Sequence, residues 1–200
     1  MTLGFTVWFT GLPSSGKTTL SRLIEQDLRD RGLNVEVLDG DVVRRHLSHG
    51  LGFSRADRDA NILRIAFVCQ LLTRNGVAAI AAAISPYRET REKARKSIGR
   101  FVEVFVKCPV EVCMQRDIKG LYKKALAGEI QNFTGVNDPY EEPLNPEVVV
   151  ESDKGPPEQS AGKIIAALEA LGYIPQADRV YSKEDEEKIK RRLDALGYLG

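Results

Sequence analysis

The stretch GLPSSGKTT, residues 11–19, decides the fold class of this 200-residue chain. It follows the apolar run FTVWFT of residues 5–10 and precedes a segment, residues 17–31, whose apolar residues recur with helical spacing. Gly11 and Gly16 permit backbone angles that a Cβ atom would penalise, so successive N–H groups can turn inward around an anion. The order strand, loop, helix therefore predicts an anion site at a helix N-terminus.

Four of these residues match the pattern G-x-x-x-x-G-K-[ST] of a phosphate-binding loop, or P-loop, in the context that the pattern requires. Lys17 is expected to reach the β- and γ-phosphates of a nucleoside triphosphate, and the Thr18 hydroxyl is expected to bind Mg²⁺. The alternative is a turn rich in glycine and serine that merely caps a helix. We assign the whole loop to nucleotide binding, namely Gly11, Leu12, Pro13, Ser14, Ser15, Gly16, Lys17, Thr18 and Thr19.

The composition is that of a folded soluble protein, with 42% hydrophobic and 28% charged residues. A formal net charge of +1 leaves no overall basic field that would favour duplex nucleic acid, so no nucleic-acid partner is expected. The opening MTLGFTVWFTGLP lacks a basic n-region, and its apolar stretch is too short to span a bilayer. Neither export nor membrane insertion is therefore expected.

The three cysteines, Cys69, Cys108 and Cys113, form no CxxC pair and leave one thiol over, which argues against a disulfide framework. We interpret them as small apolar residues in a reducing compartment, and we expect a cytoplasmic protein. A zinc site formed by Cys108, Cys113, His46 and His49 is an alternative, although their spacing matches no zinc ribbon or finger.

Short apolar runs alternate with helical segments along the chain, which is typical of a parallel sheet covered on both faces. The predicted strands are residues 5–10, 35–38, 77–84, 101–106 and 148–150. The predicted helices are residues 17–31, 55–75, a third from near Pro86 to just before Gly99, and 158–171. We predict an α/β fold with three layers, α/β/α, around a mainly parallel five-stranded sheet, of the P-loop NTPase, nucleotide-kinase-like class.

One domain is expected over residues 1–174, with a helical extension over residues 175–200. In the extension, Ser182 and Asp185 are placed as a capping box for a further helix. Residues from about 116 to 146 are rich in Lys, Gly, Asn and Pro, and we interpret them as a mobile lid segment before the last strand.

Two acidic residues, Asp39 and Asp41, follow the second predicted strand, at the edge of the sheet where ligands bind in open α/β folds. Phosphoryl transfer needs one carboxylate to accept a hydroxyl proton and another to organise the metal's ligands. We assign Asp41 as the base and Asp39 to the metal shell with Thr18. The alternative is that Asp41 only caps the helix that it precedes.

Further polar residues predict a second substrate site. Arg58 and Asn61 are three positions apart in a helical segment and share a face, and Phe53 is placed to stack on a base. The alternative is a solvated charged helix with Phe53 in the core. Ser85 and Pro86 are predicted to start a helix, with Ser85 as its cap.

The lid segment carries a cluster of basic residues before Phe133, namely Arg116, Lys119, Lys123 and Lys124. Such a segment can fold over bound nucleotides, adding positive charge and excluding water. The alternative is an amphipathic surface helix whose lysines extend their charged ends into water.

Taken together, GLPSSGKTT, LDGDVVRRHL, GFSRADRDANI, ISPYRETRE, RDIKGLYKKALAGEIQNFTGVNDPYEEPLNPE and EQSAGKII resemble the adenylyl-sulfate kinase, or APS kinase, family in order and spacing. The resemblance covers roughly residues 4 to 174. It implies transfer of the ATP γ-phosphate, with Mg²⁺, to the 3′-hydroxyl of adenosine 5′-phosphosulfate (APS), giving 3′-phosphoadenosine 5′-phosphosulfate (PAPS) and ADP. It also implies a homodimer and a possible association with ATP sulfurylase.

The resemblance assigns roles to matching residues. Asp41 looks like the catalytic carboxylate, beside Asp39 in the metal network and Lys17 in the P-loop. Arg44, Arg58 and Asn61 look like contacts to the phosphosulfate and ribose, Phe53 and Phe133 would sandwich the adenine, and Ile84, Ser85, Lys119 and Leu121 would complete the pocket. Phosphorylation of the residue matching Ser85 has been considered in the family, but direct in-line transfer is favoured because no base for a serine nucleophile is apparent.

Two departures from the family pattern affect mainly backbone positions. Residues 13–15 read Pro-Ser-Ser where Ser-Gly-Ala is frequent, and Ile118 stands where proline is usual. Two rival functions remain, another P-loop kinase for a sugar or nucleotide and a non-catalytic nucleotide-sensing module. The intact Lys17, Thr18 and Asp41 argue against the second rival.

Overall fold

The computed structural model describes residues 3–176 and contains one sheet of five parallel strands. In chain order the strands are β1 (Phe5–Thr10), β2 (Val35–Asp39), β3 (Ala78–Ala82), β4 (Phe101–Lys107) and β5 (Val148–Glu151). Their spatial order is β2-β3-β1-β4-β5. The predicted parallel sheet is confirmed, and β1 at its centre carries the P-loop at its carboxyl end.

The helices are α1 (Lys17–Asp30), α2 (Gly40–His46), α3 (Arg55–Arg74), α4 (Arg88–Ile98), α5 (Val110–Arg116), α6 (Leu121–Leu126) and α7 (Pro157–Ala170). Helices α1 and α7 pack with each other and share one apolar cluster with the sheet, while α3 and α4 share a second cluster that includes Trp8. The two clusters use opposite faces of the strands, because side chains alternate along each strand. The predicted three layers are therefore confirmed.

Strand β3 is shorter than predicted, ending at Ala82 instead of residue 84. Its neighbour β1 ends at Thr10, where the P-loop begins, so β3 has no further β1 backbone to pair with. The last hydrogen bond between the two segments runs from Ala83 N to Phe9 O at 3.4 Å. Ser85 then adopts a positive φ of 40°, which takes the chain out of the extended conformation.

The start of α4 also differs from the prediction. The helix begins at Arg88 with Tyr87 as its N-cap residue, and Ser85 does not cap it. The Ser85 hydroxyl instead accepts a bond from Trp8 Nε1 at 3.1 Å, and its carbonyl accepts one from Arg91 at 2.6 Å. The hydroxyl and the carbonyl of Ser85 thus both bond to residues outside the local sequence pattern.

The lid segment, residues 116–146, has an apolar core of its own. Tyr122 and Phe133 are buried there against Cys113 of α5, and their rings meet edge to face with centroids 5.0 Å apart. Helix α6 is its one helix among the described residues. The cysteines Cys69, Cys108 and Cys113 are free and buried, as expected for small apolar residues.

Helix α7 ends near Gly172, close to the predicted stop. The predicted helix with Ser182 and Asp185 lies outside the described residues. Across residues 3–176, every helix is too short or too polar to cross a membrane.

Candidate active site

The P-loop conformation depends on its two glycines. Gly11 has a φ of 149°, and a Cβ atom there would lie 2.6 Å from the carbonyl oxygen of Val106 in β4. Gly16 has a φ of 103° and forms the N-cap position of α1. Only glycine fits both positions without strain, so the loop can wrap closely over the N-terminus of α1.

Lys17 is folded onto its own loop. Its ammonium group donates to Gly11 O at 3.0 Å and to Leu12 O at 2.6 Å. Burial lowers the pKa of Lys17 from 10.5 to about 8, and the nearby Asp39 and Asp41 offset only part of this effect. The side chain is therefore a desolvated cation at the first residue of α1, and its role in phosphate binding stays a prediction.

Asp39 connects the P-loop to β2. Its Oδ2 accepts a bond from the Thr18 hydroxyl at 3.1 Å, and its Oδ1 accepts one from Asp41 N at 2.9 Å. Asp39 is thus the N-cap residue of α2, and the alternative in which Asp41 provides that cap is wrong. The Thr18 hydroxyl and the Asp39 carboxylate are oxygen donors of the kind that Mg²⁺ prefers, so this pair fits the predicted metal.

The Asp41 carboxylate is left available, since Asp39 supplies the cap. Its side chain is 66% exposed and pairs with the Lys119 ammonium group of the lid segment. Asp41 also contributes to the electrostatics of Lys17. The tertiary structure therefore brings together a P-loop cation, two carboxylates and a lid cation that are separated by up to 102 positions in sequence, from Lys17 to Lys119.

Arg58 and Asn61 are buried, so the alternative of a solvated charged helix is wrong for this face of α3. Arg58 donates to Phe53 O at 2.9 Å and to Asn132 and Thr134 of the lid segment. Asn61 Oδ1 is buried, with no hydrogen-bond partner among residues 3–176. Because a buried amide oxygen without a partner is costly, this atom marks a position where a ligand donor is expected.

Phe53 lies outside the core, with 56% of its surface exposed. The Arg44 guanidinium lies 4.4 Å from the centre of its ring, and Arg58 lies 5.9 Å away. The alternative that places Phe53 in the core is therefore wrong. Phe133 is instead buried against Tyr122, and the two phenylalanine rings do not stack on each other in the described part of the chain.

The half-buried Ile84 and the buried Ser85 follow β3. Ile84 O accepts a bond from Thr10 Oγ1 at 2.8 Å. Within the described residues, the Ser85 hydroxyl contacts Trp8 Nε1 and Ala83 O, and no histidine or carboxylate. These surroundings offer no base that would activate a serine nucleophile, in agreement with direct transfer.

The chain was compared with known proteins. The model of the family "Adenylylsulphate kinase" matches residues 3–151. The chain belongs to the adenylylsulphate kinase family. An adenylyl-sulfate kinase of Rippkaea orientalis is 58% identical over 171 residues, which are 86% of this chain and 94% of that protein.

Two further matches extend this result for the adenylylsulphate kinase family. A probable bifunctional SAT/APS kinase 2 of Sorangium cellulosum is 57% identical over 86% of this chain, which corresponds to 30% of the longer protein. The solved structure of the Mycobacterium tuberculosis APS kinase CysC in complex with AMPPNP and APS superimposes with a TM-score of 0.82 at 43% identity. That match covers 84% of this chain and 99% of the other.

The lid segment of this adenylylsulphate kinase family member contacts the P-loop, and one residue at this contact, Tyr122, was not predicted from the sequence. The Tyr122 hydroxyl donates to Pro13 O at 3.1 Å, and Leu12 lies against the apolar cluster of the lid. Leu121, assigned to the acceptor pocket, packs at the start of α6 against the same cluster. The sequence contains a feature that could have predicted this contact, because Tyr122 is a large aromatic residue within an otherwise basic stretch.

A cavity of about 400 Å³ lies beside the P-loop at the carboxyl ends of β4 and β5. Leu12, Phe105 and Tyr140 border it, together with charged residues such as Lys154. None of the residues assigned to the acceptor site lines it. The zinc alternative finds no support, since residues 3–176 contain no group of three or more His, Cys, Asp or Glu side chains arranged around a common point.

Proposed function

We propose that this chain transfers the γ-phosphate of ATP to the 3′-hydroxyl of APS, forming PAPS and ADP in sulfate activation. Membership of the adenylylsulphate kinase family supports the reaction. The observation that carries the residue assignment is that two neighbouring carboxylates have different surroundings. Asp39 is bonded to Thr18 and caps α2, while Asp41 is exposed and pairs with Lys119.

On the donor side, loop amides and Lys17 bind the β- and γ-phosphates. Thr18 and Asp39 would hold Mg²⁺, which supplies positive charge that neutralises the phosphates. Phosphoryl transfer depends mainly on positioning and on charge compensation. A desolvated lysine suits this task because its charge acts in a poorly screened environment.

On the acceptor side, Asp41 accepts the proton of the 3′-hydroxyl as that oxygen attacks the γ-phosphorus. Lys119 pairs with Asp41 and provides a positive charge near the transferred group. Arg44 and Arg58 supply cations for the phosphosulfate, and the unpartnered Asn61 Oδ1 accepts a bond from the acceptor. Phe53 and Phe133 hold the adenine ring.

An acceptor panel tests this function. ADP release is measured with ATP and Mg²⁺ in the presence of APS, gluconate, shikimate or AMP, each over a range of concentrations. We expect saturable ADP release with APS and with none of the other three acceptors, and we expect PAPS as the product. Turnover with gluconate or AMP but not with APS would assign the chain to another class of P-loop kinase, and no turnover with any acceptor would favour a nucleotide-sensing module.

The acceptor site is tested separately with Asn61→Leu, which removes the unpartnered amide while keeping the side-chain volume similar. We expect the KM for APS to rise by about 10-fold or more, since a buried hydrogen bond to the ligand is lost. The KM for ATP should remain close to that of the wild type. A rise in the KM for ATP alone would move Asn61 out of the acceptor site.

We further propose a cytoplasmic homodimer that associates with ATP sulfurylase. The resemblance to the family supports the dimer, and the bifunctional name of the Sorangium relative supports a link between two activities. Sedimentation analysis of the chain, alone and mixed with ATP sulfurylase, tests both points. A monomer throughout the concentration range would contradict the dimer.

A further inference from the structure

The geometry points to Arg91 of α4 as a positioning residue of the acceptor site. We propose that its guanidinium holds the acceptor loop, residues 83–86, against the lid return, residues 138–142, in the arrangement that APS binding requires. This inference rests on the proposed function, because the acceptor loop contains Ile84 and Ser85 of the proposed pocket. The hydrogen bonds of Arg91 are to Ser85, Glu103 and Glu141, so the proposed role is exerted through the loop.

Arg91 makes hydrogen bonds in three directions with all three of its guanidinium nitrogens. One terminal nitrogen donates to Ser85 O at 2.6 Å, and the other donates to Glu141 O at 2.7 Å. Nε donates to Glu103 Oε1 at 2.7 Å. The side chain is 2% exposed, so these bonds form away from solvent.

Glu103 anchors this arrangement in the sheet. It lies in β4, its carboxylate is buried, and its second oxygen accepts a bond from Arg95 at 3.1 Å. Its backbone N–H donates to Glu147 Oε2 at 2.7 Å, just before β5. A buried cation that is paired with a carboxylate and makes three directional hydrogen bonds is held in a narrow range of geometries. Arg91 in turn fixes the positions of the two carbonyl groups that it binds.

The acceptor loop needs such support because its backbone is strained. Ser85 has a φ of 40°, a conformation that costs free energy in residues with a Cβ atom. The bond from Arg91 to the Ser85 carbonyl orients the peptide that follows this strained residue. The loop is therefore held from the outside, and its geometry depends on Arg91.

The lid return meets the acceptor loop at the same place. Glu141 N donates to Pro86 O at 2.9 Å, and the Tyr140 hydroxyl lies 2.9 Å from Thr10 Oγ1. Thr10 donates in turn to Ile84 O and immediately precedes Gly11 of the P-loop. Arg91 thus lies where the acceptor loop, the lid return and the end of β1 converge.

The substitution Arg91→Lys tests the proposal. A lysine keeps the positive charge beside Glu103 but cannot donate in three fixed directions. We expect the KM for APS to rise by about 10-fold or more and kcat to fall, because a small displacement of a positioning loop misaligns the acceptor. The KM for ATP should change by less than about twofold, since the P-loop has its own contacts.

Arg95→Lys is the matched control. Arg95 lies on the same helix and pairs with the same Glu103, but it bonds to neither Ser85 nor Glu141. We expect its kinetic constants to stay near those of the wild type. An equal rise in the KM for APS in both variants would overturn the proposal, because a general loss of packing would then explain the rise. An unchanged KM for APS in Arg91→Lys would also overturn it.

Tyr140→Phe provides a second measurement if Arg91→Lys does not fold. It removes only the hydroxyl that contacts Thr10 and leaves the ring against Phe105. We expect a smaller rise in the KM for APS, and an unchanged value would overturn the proposal. Failure of the proposed function itself is distinguishable, because the wild-type chain would then show no turnover with APS.

Discussion

The Lys17 ammonium group lies in a poorly solvated position, and its pKa of about 8 falls within the range of ordinary assays. ATP phosphates favour its charged form, so the bound state holds this proton more tightly than the free state. Free enzyme and complex therefore differ in protonation above pH 8. The pH dependence of ATP binding therefore measures the protonation of Lys17.

We predict that ATP affinity falls as the pH rises above 8, by up to about tenfold per pH unit for a single linked proton. The physical reason is that free enzyme must take up a proton at Lys17 before it binds the phosphates well. Calorimetric titrations between pH 7 and 9.5, in buffers with different ionisation enthalpies, measure both the affinity and the proton uptake. Lys17→Met is the control, and the same proton uptake in that variant would assign the effect to another group.

The free energy of unfolding depends on pH in the opposite direction to the ATP affinity. The folded-state pKa of Lys17 lies below the ordinary value of 10.5, so between pH 8 and 10.5 the unfolded chain binds more protons than the folded chain. The contribution of Lys17 to the free energy of unfolding therefore rises with pH in this window. Its burial costs most below pH 8, where the group is charged in both states.

A second prediction at this scale concerns Asp41. We expect Asp41→Asn to lower kcat by about 10²- to 10⁴-fold, the range for loss of a general base, while ATP still binds. The substitution leaves the α2 cap intact, because Asp39 provides that cap. Single-turnover PAPS formation measures the effect, Asp30→Asn on the exposed side of α1 serves as the control, and near-normal turnover would remove Asp41 from the base role.

At the scale of elements, the lid segment and the P-loop are packed against each other. A Cβ atom on Gly135 would lie 2.9 Å from Leu12 Cδ2, although Gly128, in the same segment, has nothing within 4 Å. Both glycines have positive φ angles, 90° and 77° respectively. They differ mainly in contact with the P-loop, so they form a matched pair.

We predict that Gly135→Ala raises the KM for ATP several-fold, because the added methyl group displaces Leu12 and the loop that follows it. Gly128→Ala should leave that KM close to the wild-type value. Both variants should lose about 1–2 kcal/mol of stability from the left-handed backbone conformation. Steady-state kinetics and thermal unfolding of the pair measure the two effects, and equal KM values would contradict a functional contact between lid and loop.

Some helix boundaries are set by contacts with neighbouring residues, and others are set by contacts with distant residues. The pattern of Ser85 and Pro86 is typical of a helix start, yet α4 begins at Arg88 because Trp8 and Arg91 engage Ser85. By contrast, α3 begins after Ser54, whose hydroxyl accepts a bond from Asp57 N at 3.2 Å, a cap that lies within four residues. Elements bounded by local contacts were predicted well, and those bounded by distant partners were not.

For the whole molecule, the core extends to the end of the described residues. Ile174 is 4% exposed and belongs to the cluster under α1 and α7. The Tyr173 ring lies 5.3 Å from that of Phe5, and Arg31 donates to Pro175 O at 3.0 Å. Residues 173–175 therefore contact the rest of the described chain, and the domain boundary at residue 174 stays a prediction.

We predict that a chain ending at Gln176 folds and keeps its kinase activity. A chain ending at Leu171 should lose about 4 kcal/mol of stability, because it removes the buried Ile174 side chain and the half-buried Tyr173 ring. Thermal unfolding and ADP release, measured on both truncated chains and the full chain, test this boundary. Loss of activity in the chain ending at Gln176 would assign a role to residues 177–200.

The sequence by itself determined the features that depend on neighbours along the chain. The P-loop between β1 and α1, the parallel sheet and the acidic pair after β2 follow from apolar runs, glycine positions and a motif whose parts are a few residues apart. The short-range physics of backbone angles and hydrogen bonds makes such patterns readable.

Only the tertiary structure decided which side chains meet across long separations. It pairs Lys119 with Asp41, it encloses Arg58 beneath the lid, and it bonds the Thr18 hydroxyl to Asp39. It also places Arg91 between three backbone segments. These contacts join groups up to 78 positions apart, and their partners are selected by packing and by the cost of burying unpaired charges, which no local pattern records.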